Sequence, residues 1–393
     1  MRSKRLVGLF STLLFLVGLQ TQASAGFWEG VKDFFDIKSN DERENCLRYF
    51  KRGDYVWADS YCRIAMEKDE NFAYYAAMIA YYRGNNEDAF RYLKKAMEVL
   101  QNKQGIEEKK KLVRVYFYLG TLYDKEGGES IGEALNYYKK AIALAEEVNE
   151  KYILARAALR LGATYLYWQI FDKAEEYLMK SLKAIEEAKE EEEISKKEIN
   201  SKKAEIYKTV AILLYKKKDY KAGEEYFMKA FDVIKGCCRE ELADYEYDYG
   251  YAKYFIFKDY EAAEKYIKSA IERAKKEVFG DMLESKNKDY GKLYSTVFQK
   301  RERIEEIGEW YETLAKISIE RNDKQRAKDY LNAANEMYNF IRTALKRLPQ
   351  LNDELNDELD KIEDKQQVNL VKIRNLNESL KNSNSTSTSK EGQ

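Results

Sequence analysis

The sequence contains no histidine among its 393 residues. Histidine is the side chain that most often activates a serine or cysteine nucleophile, or transfers protons near neutral pH. Its absence excludes Ser-His-Asp and Cys-His nucleophiles, acid–base catalysis by histidine and every zinc site with an imidazole ligand. An enzyme with this composition would have to use carboxylate, lysine or tyrosine side chains.

Proline is nearly absent as well, because Pro349 is the only one in the chain. Proline interrupts helices, so its scarcity favours long helices joined by tight turns. Basic and acidic residues balance at 69 each, which gives no reason to expect a nucleic acid partner.

Common catalytic motifs are missing too. We find no P-loop, no Gly-x-Ser-x-Gly and no Gly-x-Gly-x-x-Gly. The sequence therefore predicts a protein that is not an enzyme and needs no cofactor or metal ion. An enzyme that acts on glycans through two carboxylates stays open as a less favoured alternative, since the many acidic residues could supply such a pair.

The N-terminus has the three parts of a secretory signal peptide. Arg2, Lys4 and Arg5 are followed by the apolar run Leu6–Leu19 and by the small-residue site Ala23-Ser24-Ala25. The apolar run is shorter than the roughly 20 residues that span a bilayer, so an uncleaved anchor is the less favoured alternative. We expect residues 1–25 to be removed and the mature protein to be periplasmic or secreted.

A turn-and-helix pattern, Gly-Asp-Tyr-x-x-Ala-x-x-Tyr-x-x-x-Ala, recurs along the chain. Its first copy has Gly53, Asp54 and Tyr55 at the turn, followed by Ala58, Tyr61 and Ala65. Looser copies begin near Gly84, Gly120, Gly162, Asp219, Asp259 and Asn322. The pattern resembles the tetratricopeptide repeat (TPR), in which small residues lie where two helices touch and aromatic residues fill the grooves. Over residues 42–340 the resemblance implies an all-α fold, an α-solenoid (superhelix) of antiparallel helix pairs in about seven units.

The repeat spacing is irregular. Equivalent alanines are 31 residues apart at positions 58 and 89, but 64 residues apart at positions 263 and 327, whereas the usual repeat has about 34 residues. The longer units resemble those of kinesin-light-chain-like and Rap-regulator-like proteins. The widest gap predicts an additional helical pair around Val278–Glu309.

Three further segments flank the repeats. Residues 26–41 carry Phe27, Val31 and Phe34 on one helical face, which predicts a helix that caps the first repeat. The alternative is contact of Phe27–Phe35 with a membrane surface or a partner. Residues 341–381 predict a C-terminal capping helix or a short coiled coil, and the Ser/Asn/Thr-rich residues 382–393 predict a disordered tail.

The four cysteines fall into two pairs. Cys46 precedes the turn residue Asp54 by eight positions and Cys62 follows it by eight, so the two face each other across an antiparallel hairpin. This placement predicts a disulfide between them, with two buried thiols as the alternative. The adjacent Cys237 and Cys238 are expected to pair between chains or to stay free.

Partner binding is the function that the resemblance implies. In TPR proteins the first helices of successive units form a concave groove, and aromatic and arginine side chains dominate binding hot spots. By position, the groove residues are Tyr74, Met78, Tyr81, Tyr82, Arg114, Phe117, Arg156, Leu159, Tyr167, Lys208, Tyr215, Lys216, Tyr245 and Phe255. The alternative for many of these tyrosines is packing between repeats.

We therefore expect an exported, non-catalytic scaffold or adaptor that binds protein or peptide partners in this groove. A membrane-peripheral adaptor in envelope or secretion assembly, held by Phe27–Phe35, is the main alternative.

Overall fold

The computed structural model describes residues 41–190, 194–280, 290–348 and 353–388. The predicted signal peptide and the Phe27–Phe35 segment lie outside the described residues. The described ranges form sixteen α-helices and no strand. The helices are α1 (Glu42–Lys51), α2 (Tyr55–Lys68), α3 (Ala73–Tyr82), α4 (Asn86–Leu100), α5 (Ile106–Glu126), α6 (Ile131–Glu147), α7 (Lys151–Tyr167), α8 (Phe171–Glu187), α9 (Lys196–Lys216), α10 (Tyr220–Cys237), α11 (Leu242–Phe255), α12 (Tyr260–Phe279), α13 (Tyr290–Gln299), α14 (Arg301–Glu320), α15 (Lys324–Leu345) and α16 (Asp353–Thr388).

Most of these helices form antiparallel pairs joined by a tight turn. The pairs are α1–α2, α3–α4, α5–α6, α7–α8, α9–α10, α11–α12 and α14–α15. The chain divides into two compact units, with the boundary between Ala157 and Ala158 inside α7. The predicted fold class, an all-α helical-repeat solenoid of TPR type, is confirmed.

The recurring turn pattern has a backbone cause. Asp54 caps α2, because its side chain accepts a hydrogen bond from the backbone N–H of Trp57. The preceding Gly53 has φ of +71°, a left-handed conformation that favours glycine. The same cap recurs at Asn85, Asp219, Asp259 and Asp323, each after a residue with positive φ. The Gly/Asp signal in the sequence therefore marks a left-handed residue followed by a helix N-cap.

Small residues allow the paired helices to approach closely. Ala58, Ala65, Ala89 and Ala96 are almost completely buried. Gly223 of α10 lies under the ring of Tyr215 in α9, where an added Cβ would come within 2.4 Å of two ring carbons. The same arrangement pairs Gly120 with Tyr138 and Gly308 with Tyr338. The fully buried tyrosines therefore fill the space that glycine leaves free on the facing helix.

The C-terminal region differs from the sequence prediction in two places. The gap around Val278–Glu309 was predicted to hold a helical pair, but α12 continues to Phe279 and α14 already begins at Arg301. Among the described residues only the short α13 lies between them, and its Leu293 and Val297 are buried in the core of the second unit. In the described part of this gap the extra length thus forms one short helix, α13.

The final helix, α16, packs against α15 and α14. Its residues Ile362 and Asn369 are fully buried, and Ile373 is 9% exposed. Asn369 donates to the carboxylate of Glu312 in α14 at 2.9 Å. The helix continues to Thr388, so it extends into the segment predicted as a disordered tail. No helix in the described ranges has the length and apolar character needed to cross a membrane.

Both cysteine pairs lie at bonding distance. The sulfur atoms of Cys46 in α1 and Cys62 in α2 are 2.03 Å apart, and both residues are fully buried, as the hairpin argument predicts. The sulfur atoms of Cys237 and Cys238 are 2.29 Å apart. The sequence expectation for this second pair was interchain pairing or free thiols. The structure places the two together because α10 ends at Cys237 and Cys238 leaves the helical conformation, with φ of −140°.

Candidate partner-binding surface

The first helices of the first unit bring several of the predicted groove residues together. Tyr82 of α3 and Tyr118 of α5 join their hydroxyl oxygens in a 3.1 Å hydrogen bond. The ring of Tyr81 lies 4.5 Å from that of Tyr118. The guanidinium of Arg156 in α7 lies over the ring of Phe117, 4.3 Å from its centroid. Three consecutive first helices thus meet in one aromatic and cationic cluster.

A buried ion pair lies beside this cluster. Arg114 of α5 approaches the carboxylate of Glu150 at 3.6 Å, and its side chain is 14% exposed while that of Glu150 is 1% exposed. Arg114 also donates to the hydroxyl of Tyr74 at 3.5 Å. Removing one member of such a pair leaves an uncompensated buried charge. Arg114 therefore has a structural role, because it compensates the buried charge of Glu150 and contacts Tyr74.

The surroundings favour the neutral hydroxyl of Tyr82 and the charged guanidinium of Arg156. Desolvation, reinforced by the neighbouring Tyr118, Tyr74 and Tyr55, raises the pKa of Tyr82. For Arg156, burial acts to lower the pKa, but the nearby Tyr118 and Tyr152 outweigh it and the pKa is raised. The arrangement can form hydrogen bonds and cation–π contacts.

In the second unit the surface is built around Lys208 of α9. Its ammonium donates to Asp248 of α11 at 2.6 Å and lies 4.8 Å from the ring centroid of Tyr245. Lys216, one helical turn past Ile212 on the same helix, lies 5.7 Å from the ring centroid of Phe255. Predicted residues from α9 and α11 are thus in contact here.

A row of four neighbouring rings contains the predicted Phe255 and three rings that the sequence analysis missed. Tyr247, Tyr251 and Phe255 of α11 line up with Trp310 of α14 and form what we call the aromatic row. The ring of Tyr247 lies 4.8 Å from Trp310, that of Tyr251 lies 6.1 Å from Tyr247, and that of Phe255 lies 5.9 Å from Tyr251. Spacing at i, i+4 and i+8 along α11 puts these rings on one helical face, and this spacing is the signal that could have found them.

Burial divides the predicted groove residues into three groups. Tyr82, Tyr167, Lys216 and Phe255 are exposed, with Tyr167 at 84% and Phe255 at 53%. Tyr81, Arg114, Arg156 and Lys208 are partly buried. The buried residues are Tyr74, Met78, Phe117, Leu159, Tyr215 and Tyr245, each at 4% exposure or less.

The buried group corrects the predicted lining, since buried side chains cannot touch a partner unless the helices move. Tyr215 is the clearest case. Its ring lies over Gly223 inside its own hairpin and packs edge-on against Phe257 at 5.1 Å. These residues fit the alternative of packing between helices.

Comparisons with known proteins support the fold. No family model matches the chain. A TPR repeat-containing protein of Methanocaldococcus jannaschii is 28% identical over 202 residues, which make up 51% of this chain and 32% of that protein. The match thus spans about a third of the relative's length.

Solved structures resemble the chain in fold alone. The apo form of RapI superposes with a TM-score of 0.50 and 17% identity, covering 76% of this chain and 96% of RapI. A tetratricopeptide repeat protein of Parabacteroides merdae gives a TM-score of 0.42 and 19% identity, covering 82% of this chain and 96% of that protein. Together with the Methanocaldococcus relative, the RapI likeness gives this chain a TPR-like helical-repeat fold.

Proposed function

We propose that the chain is an exported, non-catalytic scaffold that binds protein or peptide partners through the exposed side chains of its first helices. One observation carries the proposal. First helices present aromatic side chains that are partly exposed to solvent, with Tyr82 at 45%, Tyr251 at 42% and Phe255 at 53% exposure. Cations lie beside them, as Lys216 does beside Phe255. Exposed aromatic rings next to cations are the composition of protein-binding hot spots.

Export is supported by the N-terminal pattern over residues 1–25. The bonding distance between Cys46 and Cys62 agrees with it, because disulfides persist in oxidising compartments. Outside the cytoplasm the bridge would hold α1 and α2 together at the start of the repeats.

Affinity capture from the envelope fraction tests the binding proposal. The wild-type mature chain is compared with a variant in which Tyr82, Tyr167, Tyr251 and Phe255 are changed to Ala. These side chains are exposed, so circular dichroism should show an unchanged fold. A control variant changes the exposed second-helix residues Met179 and Met228, 45% and 39% exposed, to Ala. We expect the first variant to lose the partner and the control to keep it. Retention by both variants would rule out the first-helix surface.

Cell fractionation tests export and the membrane alternative. The mass of the purified native protein should correspond to cleavage after Ala25, and the protein should be found outside the cytoplasm. Deleting residues 27–37 should leave it soluble in that compartment. An intact N-terminus would contradict export by cleavage, and membrane association that is lost on the deletion would instead support the membrane-peripheral adaptor.

A further inference from the structure

We propose that three neighbouring hairpin turns of the second unit dock on the surface of an anionic lipid membrane. The turns comprise residues 168–173, 216–221 and 257–261, and we call them the tip edge. This docking goes beyond the proposed partner binding, because it concerns another edge of the unit and another ligand. Three features support it: exposed apolar side chains, a surplus of lysines, and tip residues that oppose local backbone preference.

Contacts between side chains show that the three turns are neighbours. Lys217 of the central turn forms an ion pair with Glu175, near the start of α8. The ring of Tyr220, at the start of α10, lies 5.1 Å from that of Phe257 in the third turn. All four residues belong to the second unit. The turns therefore form one continuous edge.

Large apolar side chains are exposed at the tip edge. Trp168 is 42% exposed, Ile170 is 43% exposed and Tyr220 is 41% exposed. The other end of the same helices differs. Among its described residues, no large apolar side chain is exposed in the connections 188–190 and 238–241. Tryptophan and tyrosine are enriched where a membrane meets water, with their rings at the level of the headgroups.

Ile170 occupies a position at which the neighbouring turns have a helix cap. It is the N-cap residue of α8 and makes no side-chain cap hydrogen bond. At the same position Asp219 and Asp259 accept hydrogen bonds from the backbone N–H groups that begin α10 and α12. Isoleucine is among the poorest N-cap residues. An exposed isoleucine here lowers local stability, as expected of a side chain that serves binding.

Two lysines also occupy positions that favour glycine. The left-handed residue before the cap is Gly53 or Gly84 in the first unit, with φ of +71° and +77°. At the tip edge it is Lys218 or Lys258, with φ of +66° and +55°. A side chain with a Cβ is strained in this conformation. Both turns therefore lose local stability and gain an exposed ammonium group.

The charge of the tip edge is complementary to an anionic surface. The central turn has one acidic residue, Asp219, and four exposed lysines: Lys216, Lys217, Lys218 and Lys221. Lys217 is paired with Glu175, whereas the other three have no ion-pair partner among the residues that the structure describes. Each lysine close to an anionic bilayer strengthens binding about fivefold.

The kind of cation favours a lipid surface over a protein partner. All six cations of the three turns are lysine and none is arginine. Protein interfaces contain arginine more often than lysine. Lysine beside aromatic residues is typical of membrane-surface segments, because its methylenes lie along apolar groups while its ammonium reaches the headgroups. Side chains at the turns can enter the headgroup layer while the hairpins stay in water.

Co-sedimentation with lipid vesicles tests the inference. The full mature chain is mixed with vesicles of phosphatidylcholine alone, or of phosphatidylcholine with phosphatidylglycerol. We expect binding to the second kind only, and release when the salt concentration rises from about 0.05 M to about 0.5 M. Equal binding to both kinds, or no binding to the phosphatidylglycerol vesicles, would overturn the inference.

Two substitutions weaken the tip edge while they improve the local backbone. Ile170→Asp supplies the missing cap and Lys218→Gly relieves the left-handed lysine, so urea unfolding should show equal or higher stability. Together they should weaken vesicle binding about tenfold or more. The matched control combines Met179→Asp, a residue of α8 that is 45% exposed, with Lys196→Gln at the other end of α9. Unchanged binding by the tip variant, or an equal loss in the control, would refute the assignment.

Tryptophan fluorescence identifies the segment that touches lipid. Brominated lipid should quench Trp168, and this quenching should disappear in Trp168→Phe. Quenching that persists in Trp168→Phe and is lost on deleting residues 27–37 would assign the contact to the N-terminal segment and overturn the inference.

Partner capture separates this inference from the proposed function. The tip variant should keep the partner, whereas a variant with Tyr251 and Phe255 changed to Ala should lose the partner and keep the vesicles. If the wild type captures its partner but binds no vesicles, the proposed function stands and the membrane docking is wrong. Loss of the partner from the tip variant, with vesicle binding unchanged, would make the tip edge a protein-binding surface instead.

Discussion

The contact between Gly223 and Tyr215 makes a sharp test of how the paired helices pack. In Gly223→Ala the new Cβ would lie 2.4 Å from two carbons of the Tyr215 ring and 3.2 Å from the carbonyl oxygen of Ala211. The ring is 2% exposed and packs against Phe257, so it has no free space to move into. Overpacking of this kind costs about 1–3 kcal/mol, and the better helix propensity of alanine returns about 1 kcal/mol. We expect a net loss of up to about 2 kcal/mol in the free energy of unfolding.

A matched control lies on the same helix. Gly236 also belongs to α10, but a Cβ added there meets no atom within 4 Å and its φ is not positive. Gly236→Ala should therefore leave stability unchanged or raise it by up to about 1 kcal/mol. Urea unfolding followed by circular dichroism measures both variants against the wild type. A similar effect of the two substitutions would refute the close-approach account of the glycine.

Three further predictions concern the Cys46–Cys62 bridge, the N-cap of α10 and the buried Tyr207. Changing Cys46 and Cys62 together to Ala should lower the stability of the first unit by about 3 kcal/mol, because the bridge closes a 16-residue loop, and an unchanged urea midpoint would contradict this. Asp219→Ala should cost about 1 kcal/mol by removing the N-cap of α10, whereas Ser130→Ala, at a helix start without a side-chain cap, should change stability by a few tenths at most. Burial and Glu186 raise the pKa of Tyr207 to about 12 from 10.0, so the unfolded chain loses this proton first. The free energy that the neutral Tyr207 hydroxyl contributes to folding should be fully present below pH 10 and be lost as the pH rises towards 12. Tyr207→Phe should reduce this loss of stability. An equal loss in the variant would contradict the assignment to Tyr207.

The repeat architecture could be predicted because its turns depend on local backbone chemistry. Gly53 and Asp54 define a left-handed residue and an N-cap that need no distant partner. The position of the turn also determines which residues of the two helices face each other. The Cys46–Cys62 contact could therefore be predicted from spacing alone.

The binding surface was less predictable, because tertiary packing decides which side of a first helix is covered. Tyr245 and Tyr251 lie on the same tyrosine-rich helix, yet Tyr245 is 4% exposed and Tyr251 is 42% exposed. Helix α11 carries tyrosines both against its hairpin partner and in the aromatic row, and its charged residues are spread among them and pair with several other helices. Its sequence therefore gives no polar face by which the two sides could be told apart.

The C-terminal differences have a similar origin. The 64-residue spacing between positions 263 and 327 gave the length of the insertion but not its form. Part of that length is taken by α12, which reaches Phe279, and part by α14, which begins at Arg301. Helix lengths set by packing cannot be read from a repeat interval.

Site-specific photocrosslinking in the native cell tests the central claim most directly. A photoreactive phenylalanine analogue is placed in turn at Tyr82, Tyr251 and Phe255 on the first helices, and at Met179 and Met228 on the second helices. The proposed function predicts that the same partner crosslinks at first-helix positions and not at the two methionine positions. Crosslinking confined to the methionine positions would contradict the claim that the first helices form the binding surface.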